Sequence, residues 1–496
     1  MPRFVHAQKT PLHVHCAALY ANPRMTVDQT INAWLAPIAD WLGTVVFFAV
    51  PVGEAKLPLI MVWLIMGGIV CTLAFRFVNL RGFRHSARVI RGDYSSKDHP
   101  GEATPFQALS TAVSGTVGLG SIGGVAVAVS LGGPGAAFWM VVAGFLGMST
   151  KFAEVTLAVK YRKVRADGTV TGGAMHYVPV ALQRVGMPRL GKFLAGFFCV
   201  GAVGGSLTIF QVNQAYVQFN AVTGFNQAFL FGVIVAVWVG IVLFGGVKRI
   251  VKWTDKLSPF MCLLYIVACL VVLGANYANI PQALATIVRE AFVPQAVAGG
   301  MVGALIQGFR RAAFANEAGL GSAPMAHATV RTREPMSQGF AALMEPFLDT
   351  VIICLLTALV VVVSGVYLTS QSEGIALTSD AFATVVPWFP AVLAVVAILF
   401  ALSTVLAWGY YGEQAWTWLF SERQVSRVAY RLFLCSVLSV AATLNIEQVV
   451  NIVDSLTFCG AIPNLIAVYL LLPELRADLA GYWQRIVMKR GAGNVT

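Results

Sequence analysis

The chain has 496 residues, of which 57% are hydrophobic and 11% are charged, and its mean hydropathy is +0.74. This apolar content exceeds what a soluble core requires, so the composition indicates a polytopic helical membrane protein and excludes a large soluble domain. A net charge of +12 would suggest nucleic acid as the partner of a soluble protein. Here the basic residues concentrate in alternate loops between apolar segments, so we expect a lipid bilayer as the partner and no nucleic acid.

The beginning of the chain is predicted to contain one transmembrane helix. Residues 1–27 are polar and lack the apolar core of a signal peptide, which predicts a disordered extension. Residues 28–56 carry several aromatic side chains and are interrupted by Pro37 and Pro51, which favours a segment that lies at the membrane interface. Residues 57–80 contain the first transmembrane helix. The eight cysteines of the chain are scattered without metal-type spacing, which is typical of small buried hydrophobic residues.

Ten more apolar spans bring the predicted total to eleven. Five of them lie in residues 105–275, at about 105–131, 135–160, 190–215, 226–245 and 257–275. Five lie in residues 298–472, at about 298–330, 337–364, 387–410, 428–444 and 448–472, and residues 473–496 are predicted to form a cytoplasmic tail. Lysine and arginine concentrate in every second loop. By the positive-inside rule this pattern predicts a protein of the cytoplasmic (inner) membrane with its N-terminus outside and its C-terminus in the cytoplasm.

Two glycine clusters interrupt spans that are otherwise continuous. Residues 114–124, in the first of the ten spans, contain five glycines mixed with hydroxyl side chains, and each interior glycine costs a helix about 1 kcal/mol relative to alanine. Residues 316–324 interrupt the sixth span, 298–330, in the same way. Isolated glycines can simply let two helices pack closely. A pair of breaks in corresponding halves, however, is the sequence pattern of a transporter binding site, because unwound backbone in a membrane needs protein, water or a ligand to satisfy its polar groups.

The two halves are predicted to be inverted repeats. Each half contains five spans and opens with a broken helix, and the central glycines of the two breaks are Gly118 and Gly319. Because five is odd, two structurally related halves have opposite orientations in the membrane. The predicted fold is all-α, with one helix before a five-plus-five inverted repeat whose first and sixth core helices are discontinuous.

These motifs resemble those of the alanine or glycine:cation symporters, sodium-coupled transporters of small amino acids with the leucine-transporter fold. The resemblance extends over about residues 28–475. Its motifs are GTVGLGSI at 115–122, LGGPGA at 131–136, KFAEVTLAVKYR at 151–162, FANEAGLGSAP at 314–324, WGYYGE at 408–413 and PNLIA at 463–467. The first motif departs from the family pattern GTVGTGNIAG at Leu119, Ser121 and Gly123. Serine at 121 removes an amide oxygen where related sodium transporters have a cation ligand, which leaves the identity and number of the coupling ions open.

The predicted substrate site lies at the two breaks. The helix that restarts after the first break exposes N–H groups and a positive dipole end to a carboxylate, and the carbonyls released by both breaks can accept hydrogen bonds from an ammonium group. For Gln211 the resemblance implies substrate contact, and a plain interhelical hydrogen bond is the alternative. The candidate substrate-binding residues are Gly115, Thr116, Gly118, Gly120, Gln211, Phe314 and Asn316.

The resemblance also implies a sodium site, because sodium prefers carbonyl and hydroxyl oxygens. The carbonyls of Ser114 and Val117 would face the hydroxyls of Ser403 and Thr404, and Ser121 is a further candidate ligand. Hydroxyl groups in membrane helices also commonly bond back to their own helix, which is the simpler interpretation of Ser403 and Thr404. Sodium is the only ion expected, as a coupling ion, and no cofactor or catalytic residue is predicted.

Ionisable residues inside the membrane are costly and indicate function. Arg311 is predicted to pair with Glu317 or Asp349, as a gate or as a structural clamp. Lys151 and Glu154 are spaced to pair on one helix face.

The sequence therefore predicts a secondary active symporter that imports small neutral amino acids, alanine or glycine, with sodium by alternating access. A proton-coupled transporter or exchanger of the same fold is the first alternative, and an ion channel is an alternative of another class. A membrane enzyme is the least supported class, because no convergent nucleophile, acid–base pair or metal set is visible.

Overall fold

The computed structural model describes residues 27–52, 55–96, 98–164, 169–293 and 300–488. The described part of the chain is mostly helical, as predicted. All but the last residue of the predicted disordered extension lies outside the described residues.

The first half of the chain forms thirteen labelled helices and two short hairpins. The helices are α1 (Val27–Val46), α2 (Leu59–Ala74), α3 (Val78–Arg81), α4 (Phe83–Arg91), α5 (Pro105–Thr116), α6 (Leu119–Gly132), α7 (Gly135–Lys160), α8 (Ala174–Arg184), α9 (Pro188–Gly205), α10 (Ile209–Thr223), α11 (Ala228–Leu243), α12 (Val247–Ala275) and α13 (Ile280–Glu290), with a 3₁₀ turn at Tyr277–Asn279. Strands β1 (Ala49–Val52) and β2 (Ala55–Pro58) pair antiparallel with Ala49 opposite Pro58, and β3 (Lys163–Val164) pairs antiparallel with β4 (Val170–Thr171).

The regular secondary structure among the described residues of the second half is helical. Its helices are α14 (Gly300–Asn316), α15 (Pro324–His327), α16 (Pro335–Ala342), α17 (Met344–Pro346), α18 (Leu355–Ser364), α19 (Val366–Thr369), α20 (Ile375–Ala383), α21 (Phe389–Leu419), α22 (Gln424–Ala441), α23 (Ile446–Phe458) and α24 (Ala461–Tyr482), with π-helical segments at Phe347–Cys354 and Trp483–Met488.

Seven helical stretches of the described residues are long and apolar enough to cross a membrane. They are Pro105–Gly132, Gly135–Lys160, Pro188–Thr223, Arg249–Ala275, Pro335–Ser364, Phe389–Leu419 and Val449–Ile486. Shorter apolar helices, including Leu59–Ala74 and Ala228–Leu243, add to them. The total of eleven spans and the inverted repeat stay predictions.

The first predicted break is present between α5 and α6. The last backbone bond of α5 joins the Val117 N–H to the Val113 carbonyl at 2.8 Å, and the next bond in the chain joins the Ser121 N–H to the Gly118 carbonyl at 3.1 Å. Gly118 has an extended backbone, with φ −148° and ψ −154°, and it links the two half-helices without an intervening loop.

The second break is also present but has a different form. Helix α14 ends at Asn316, and Glu317, Gly319 and Gly321 all have positive φ, of 56°, 89° and 80°. Only one helical turn, α15, follows before the backbone pairs with another segment. The predicted helix 298–330 therefore has a regular first half but not a regular second half, because three left-handed residues turn the chain repeatedly.

A third break interrupts a span that we predicted to be continuous. Residues 190–215 form the end of α9 and the start of α10, which are separated by a turn in which Thr208 has φ 47°. Gly204 and Gly205 precede this turn, and a Cβ atom on Gly205 would lie 2.8 Å from the Trp408 ring. The glycines therefore bring the end of α9 close to α21.

The predicted helix ends also differ from the structure. Helix α12 begins at Val247 rather than at 257, and the predicted last span, 448–472, is divided between α23 and α24. Helix α24 continues to Tyr482, which is buried and whose hydroxyl hydrogen-bonds the His85 ring at 2.9 Å. Part of the predicted tail is therefore packed helix, because hydropathy marks the apolar stretch of a helix rather than its end.

One arginine joins the N-terminal end of α5 to the end of the second broken helix. Ala103 pairs with Val330 in a parallel bridge. The Arg162 guanidinium donates to four backbone carbonyls around this bridge, at distances from 2.5 to 2.9 Å. These carbonyls belong to Pro100, Ala328, Val330 and Thr332. We call this arrangement the Arg162 clasp.

Candidate functional site

A small cavity of about 20 Å³ lies at the first break. Its wall combines both half-helices of the first break with α9, α10, α14, α21 and α23. The lining residues are Gly115, Thr116, Gly120, Gly205, Thr208, Phe210, Gln211, Phe314, Thr404, Trp408, Val453 and Thr457. The structure therefore brings five of the seven predicted substrate residues to one cavity, which is large enough for a group of about the size of one water molecule.

Three of the four predicted main sodium ligands meet beside this cavity. The hydroxyls of Ser114 and Ser403 share a hydrogen bond of 2.5 Å, and the Thr404 hydroxyl donates to the Ser114 carbonyl at 3.1 Å. All three residues are fully buried. The Thr404 hydroxyl thus bonds across to the broken helix and not back to its own helix, which was the alternative interpretation. The fourth residue, Val117, is buried at the end of α5.

Gly118 provides space between these groups. A Cβ atom at this position would lie 2.6 Å from the Thr404 hydroxyl and 3.1 Å from the Gln211 side-chain oxygen. The same Gln211 oxygen accepts a hydrogen bond from the Leu119 N–H at 2.9 Å. Gln211 therefore occupies an N–H group at the start of α6, where the helix dipole favours negative charge.

Two phenylalanines form an apolar wall of the cavity. The rings of Phe210 and Phe314 meet edge to face with their centroids 5.6 Å apart. A Cβ atom on Gly120 would lie 3.2 Å from the Phe314 ring. The cavity is thus closed on this side by an aromatic ring that rests against backbone.

Ser121 and Asn316 belong to a different cluster. Ser121 donates its hydroxyl to Asp349, and the Thr350 hydroxyl donates to the other Asp349 oxygen at 2.8 Å. Asn316 donates to the Thr350 hydroxyl at 2.9 Å. We call Ser121, Asn316, Asp349 and Thr350 the Asp349 cluster. Its four members are fully buried, and the π-helical segment Phe347–Cys354 carries two of them, so Ser121 lies apart from Ser403 and Thr404 and Asn316 does not line the cavity.

The prediction that Arg311 pairs with Glu317 or Asp349 was wrong. Arg311 pairs with Asp454 of α23, and Arg310 bonds the same carboxylate oxygen at 2.7 Å. Arg311 and Asp454 are each 1% exposed, and the Arg311 guanidinium lies 5.3 Å from the Phe314 ring centroid. Because Phe314 and Val453, the neighbour of Asp454, line the cavity, this ion pair lies directly behind the cavity wall.

Side chains from other helices hold the second break. The Glu154 carboxylate accepts the N–H groups of Gly319 at 2.5 Å and of Gly321 at 3.2 Å, and Asn464 donates to the Gly319 carbonyl at 2.8 Å. Glu317 accepts a bond from the Ser322 hydroxyl. The predicted Lys151–Glu154 salt bridge is not formed, because both Glu154 oxygens accept hydrogen bonds from the backbone of the second break.

Lys151 instead has a carboxylate partner on α17. Its ammonium group lies 3.5 Å from a Glu345 oxygen, and the other Glu345 oxygen lies 3.0 Å from the His327 ring. All three side chains are completely buried.

Several lining residues were not predicted from the sequence. Phe210 and Trp408 are aromatic residues in apolar surroundings, which usually indicates ordinary packing. Gly205 and Thr208 belong to the third break, and the Gly204-Gly205-Ser206 sequence before it was the available signal. Val453 and Thr457 carry no distinguishing pattern.

Comparison with known proteins identifies the family. Residues 46–494 match the model of the sodium:alanine symporter family. The sodium/alanine symporter AgcS of Methanococcus maripaludis is 36% identical over 418 residues, which cover 84% of this chain and 92% of that protein. The probable sodium/glutamine symporter GlnT of Bacillus subtilis is 34% identical over 86% of this chain and 87% of its own length.

A solved structure shows the same fold. The crystal structure of MhsT in complex with L-phenylalanine superposes with a TM-score of 0.52 at 16% identity, covering 73% of this chain and 88% of that one. This likeness supports the leucine-transporter-like fold. The family consists of multi-pass membrane transporters rather than enzymes. The chain is a cation-coupled amino-acid symporter and belongs to the sodium:alanine symporter family.

Proposed function

We propose that this chain imports alanine or glycine together with sodium by alternating access. The observation that carries the proposal is the cavity at the first break, in which a glycine-lined, aromatic-capped space adjoins the hydroxyls of Ser403 and Thr404. Both the substrate and the ion would therefore depend on the same piece of unwound backbone.

The close-packed walls of the cavity support a small substrate. The cavity as it stands holds about one water molecule, and Gly120 packs against Phe314, which packs against Phe210. Alanine or glycine would therefore need the walls to move apart, and a larger substrate side chain would need a larger displacement of the aromatic rings. A carboxylate would bind at the Gly120 N–H at the start of α6, beside the Leu119 N–H that Gln211 holds. The ammonium group would be held by carbonyls of α5, including those of Gly115 and Thr116.

Sodium would bind between the two half-helices and α21. The carbonyls of Ser114 and Val117 and the hydroxyls of Ser403 and Thr404 provide the hard oxygen ligands that this ion prefers. Ser121 would contribute to a second cation position in the Asp349 cluster, where the Asp349 carboxylate supplies the oxygens that the usual asparagine would have supplied. A carboxylate there brings a negative charge that an amide lacks.

The Arg311–Asp454 pair would act as the outer gate. It joins α14 to α23 directly beside residues that line the cavity, so its separation would connect the cavity with the outside. Glu317 and Asp349 would take no part in this gate, because Ser322 and Ser121 bind them.

The proposed arrangement in the membrane has eleven spans, with five-plus-five inverted repeats after α2. The basic loops place the N-terminus outside and the C-terminus in the cytoplasm. The cytoplasmic membrane is the proposed location.

Uptake of radiolabelled alanine into proteoliposomes tests the proposal. The purified protein would be given an inward sodium gradient, an inward proton gradient, or neither, with empty liposomes as the control. Unlabelled glycine, glutamine and leucine would then compete with the labelled alanine. We expect uptake only with sodium, and competition by glycine but not by glutamine or leucine.

Other outcomes would change the proposal in specific ways. Uptake driven by protons without sodium would replace the coupling ion and support the proton-coupled alternative. Competition by glutamine as strong as that by glycine would remove the argument from cavity size. Currents far above transporter turnover would favour an ion channel.

A further inference from the structure

A second cavity, of about 570 Å³, lies far from the first break at the ends of α2 and α24. Three arginines line it, Arg76 and Arg81 after α2 and Arg476 on α24. Trp483 closes one side, and the Arg81 guanidinium lies 5.4 Å from the centroid of its ring. The positive-inside rule assigns this end of both helices to the cytoplasmic face.

The three arginines converge without a counter-charge. Among the residues that the structure describes, none of the three forms a salt bridge with a carboxylate. The two acidic residues nearest to Arg476 along α24, Glu474 and Asp478, both bond Lys160. Each lies two residues from Arg476, which is about 200° around a helix, so they occupy the opposite face. The cavity therefore holds a concentration of positive charge that the fold itself does not neutralise.

The backbone that carries Arg76 is strained. Arg76 and Phe77 are consecutive non-glycine residues with left-handed conformations, φ 51° and φ 57°. Side chains with a Cβ atom rarely adopt this conformation, and such strain concentrates at functional sites. The turn is fixed by a bond of 2.8 Å from the Phe77 N–H to the Thr72 carbonyl, and it lets Arg76 line the cavity.

Part of the cavity wall is apolar, with Leu479 and Ala480 among its residues. Leu73 and Leu80 lie outside this lining, near the strained turn, and are 60% and 62% exposed. In a membrane protein such side chains face acyl chains. Tryptophan is typical of the boundary between headgroups and hydrocarbon, so Trp483 fits a cavity that lies at this depth.

We propose that this cavity binds the headgroup of an anionic phospholipid of the inner leaflet. Its phosphate would be held by Arg76, Arg81 and Arg476, and its acyl chains would lie along Leu73 and Leu80. Arginine presents several N–H donors to phosphate oxygens, and basic pockets between membrane helices on the cytoplasmic side suit such headgroups. The apolar side chains in and beside the cavity favour a lipid over a free phosphate ion, because only the lipid has acyl chains to contact them. The proposal is independent of the transported substrate and ion.

Lipid binding can be measured by native mass spectrometry of the delipidated full-length protein in detergent. Phosphatidylglycerol, phosphatidylcholine or inorganic phosphate would be added in separate titrations. The test variant is Arg76→Gln, Arg81→Gln and Arg476→Gln combined. The matched control removes three exposed arginines of α4 on the same side of the protein, Arg84→Gln, Arg88→Gln and Arg91→Gln.

We expect phosphatidylglycerol to bind the wild-type protein and the control variant alike, and to bind the test variant on the order of 100-fold more weakly. This figure follows from about fivefold for each arginine near an anionic headgroup. Phosphatidylcholine and inorganic phosphate should bind much more weakly than phosphatidylglycerol. The single variant Arg476→Gln should lose about fivefold, and it decides the question if the triple variant does not fold.

Three results would overturn the proposal. An equal loss in the test and control variants would show general charge attraction without a site. Equal binding of phosphatidylcholine would remove the role of the arginines. Inorganic phosphate that displaces phosphatidylglycerol at a similar concentration would show a site for a free anion rather than for a lipid.

Discussion

The backbones of the two broken helices are interrupted by different physical means. At the second break, Gly319 and Gly321 have positive φ, and the freed backbone groups are bound by Glu154 and Asn464. At the first break, Gly118 is extended and needs no left-handed conformation. Its glycines provide space instead, because a Cβ atom there would collide with Thr404.

This difference favours the first break over the second as the proposed binding site. The second break is satisfied by protein, so it has little need of a ligand. The first break has fewer protein partners, chiefly Gln211 on the Leu119 N–H and Thr404 on the Ser114 carbonyl. Unwound backbone with few partners is where a substrate or an ion gains most by binding.

Loss of Glu154 should have the largest effect, and it should affect folding. In Glu154→Ala the buried N–H groups of Gly319 and Gly321 lose their acceptor, which we expect to cost roughly 2 to 6 kcal/mol at about 1 to 3 kcal/mol for each unsatisfied group. Thermal unfolding and size-exclusion chromatography in detergent measure this loss.

The control for this variant is Glu154→Gln, which keeps one acceptor oxygen. Its stability should lie between that of the wild type and that of Glu154→Ala. Glu154→Ala protein as stable as the wild type would remove the structural role that we assign to the second break.

Gly118→Ala should strongly reduce transport without loss of the fold. The added methyl group would push the Thr404 hydroxyl and the Gln211 side chain apart, and overpacking of about 1 to 3 kcal/mol corresponds to roughly 5-fold to 150-fold weaker binding. Initial alanine uptake is the measurement, with the melting temperature recorded in parallel.

Gly124→Ala is the matched control on the same helix, because a Cβ atom there meets only the Arg311 side chain at 3.8 Å. It should transport normally. Equal loss in both variants would mean that α6 tolerates no methyl group, and that the space at Gly118 has no special role.

Thr404→Ala should raise the sodium concentration for half-maximal uptake by about tenfold, which corresponds to about 1.4 kcal/mol of ion binding. The variant removes one proposed oxygen ligand, and the other residues that line the cavity are unchanged. Thr404→Ser keeps the hydroxyl and serves as the control. Unchanged sodium dependence in well-expressed Thr404→Ala protein would exclude this residue from the ion site.

Gln211→Ala should have the smallest effect, about a fivefold rise in the KM for alanine with little change in the melting temperature. A neutral hydrogen bond contributes about 1 kcal/mol, and water can replace the amide at a site that already opens to a cavity. Uptake kinetics and thermal unfolding give the two values. A large fall in the melting temperature would mean that the first break is held by protein in the same way as the second.

The positions of both main breaks could be predicted from the sequence because glycine acts locally on the backbone. Apolar length and glycine content predicted the first break. The family resemblance predicted that Ser403 and Thr404 lie opposite it. The third break, at Thr208, was missed, because its Gly204-Gly205 pair lies in an apolar run that predicts a continuous helix. Glycine content therefore predicted a helix break where glycines were dense and did not predict one where they were few.

Partners that are distant in the chain could not be predicted. Asp454 lies on α23, and nothing near Arg311 indicates that it supplies the counter-charge. Ser121 and Ser114 are close in sequence, yet they belong to different clusters because the break between them changes the direction of the helix. Such pairings depend on how the helices pack, which local pattern does not determine.

The Arg162 clasp has a consequence for how many conformations the transporter can adopt. A single guanidinium holds three carbonyls of the segment that follows α15, those of Ala328, Val330 and Thr332, and one carbonyl of the segment that precedes α5, that of Pro100. To separate the segments would break the charge-assisted bond to Pro100, at about 1.5 to 3 kcal/mol, together with the backbone bonds between them, such as that from the Arg331 N–H to the Ala103 carbonyl. We therefore expect the two segments to move together, so that the two broken helices do not change position independently at this end.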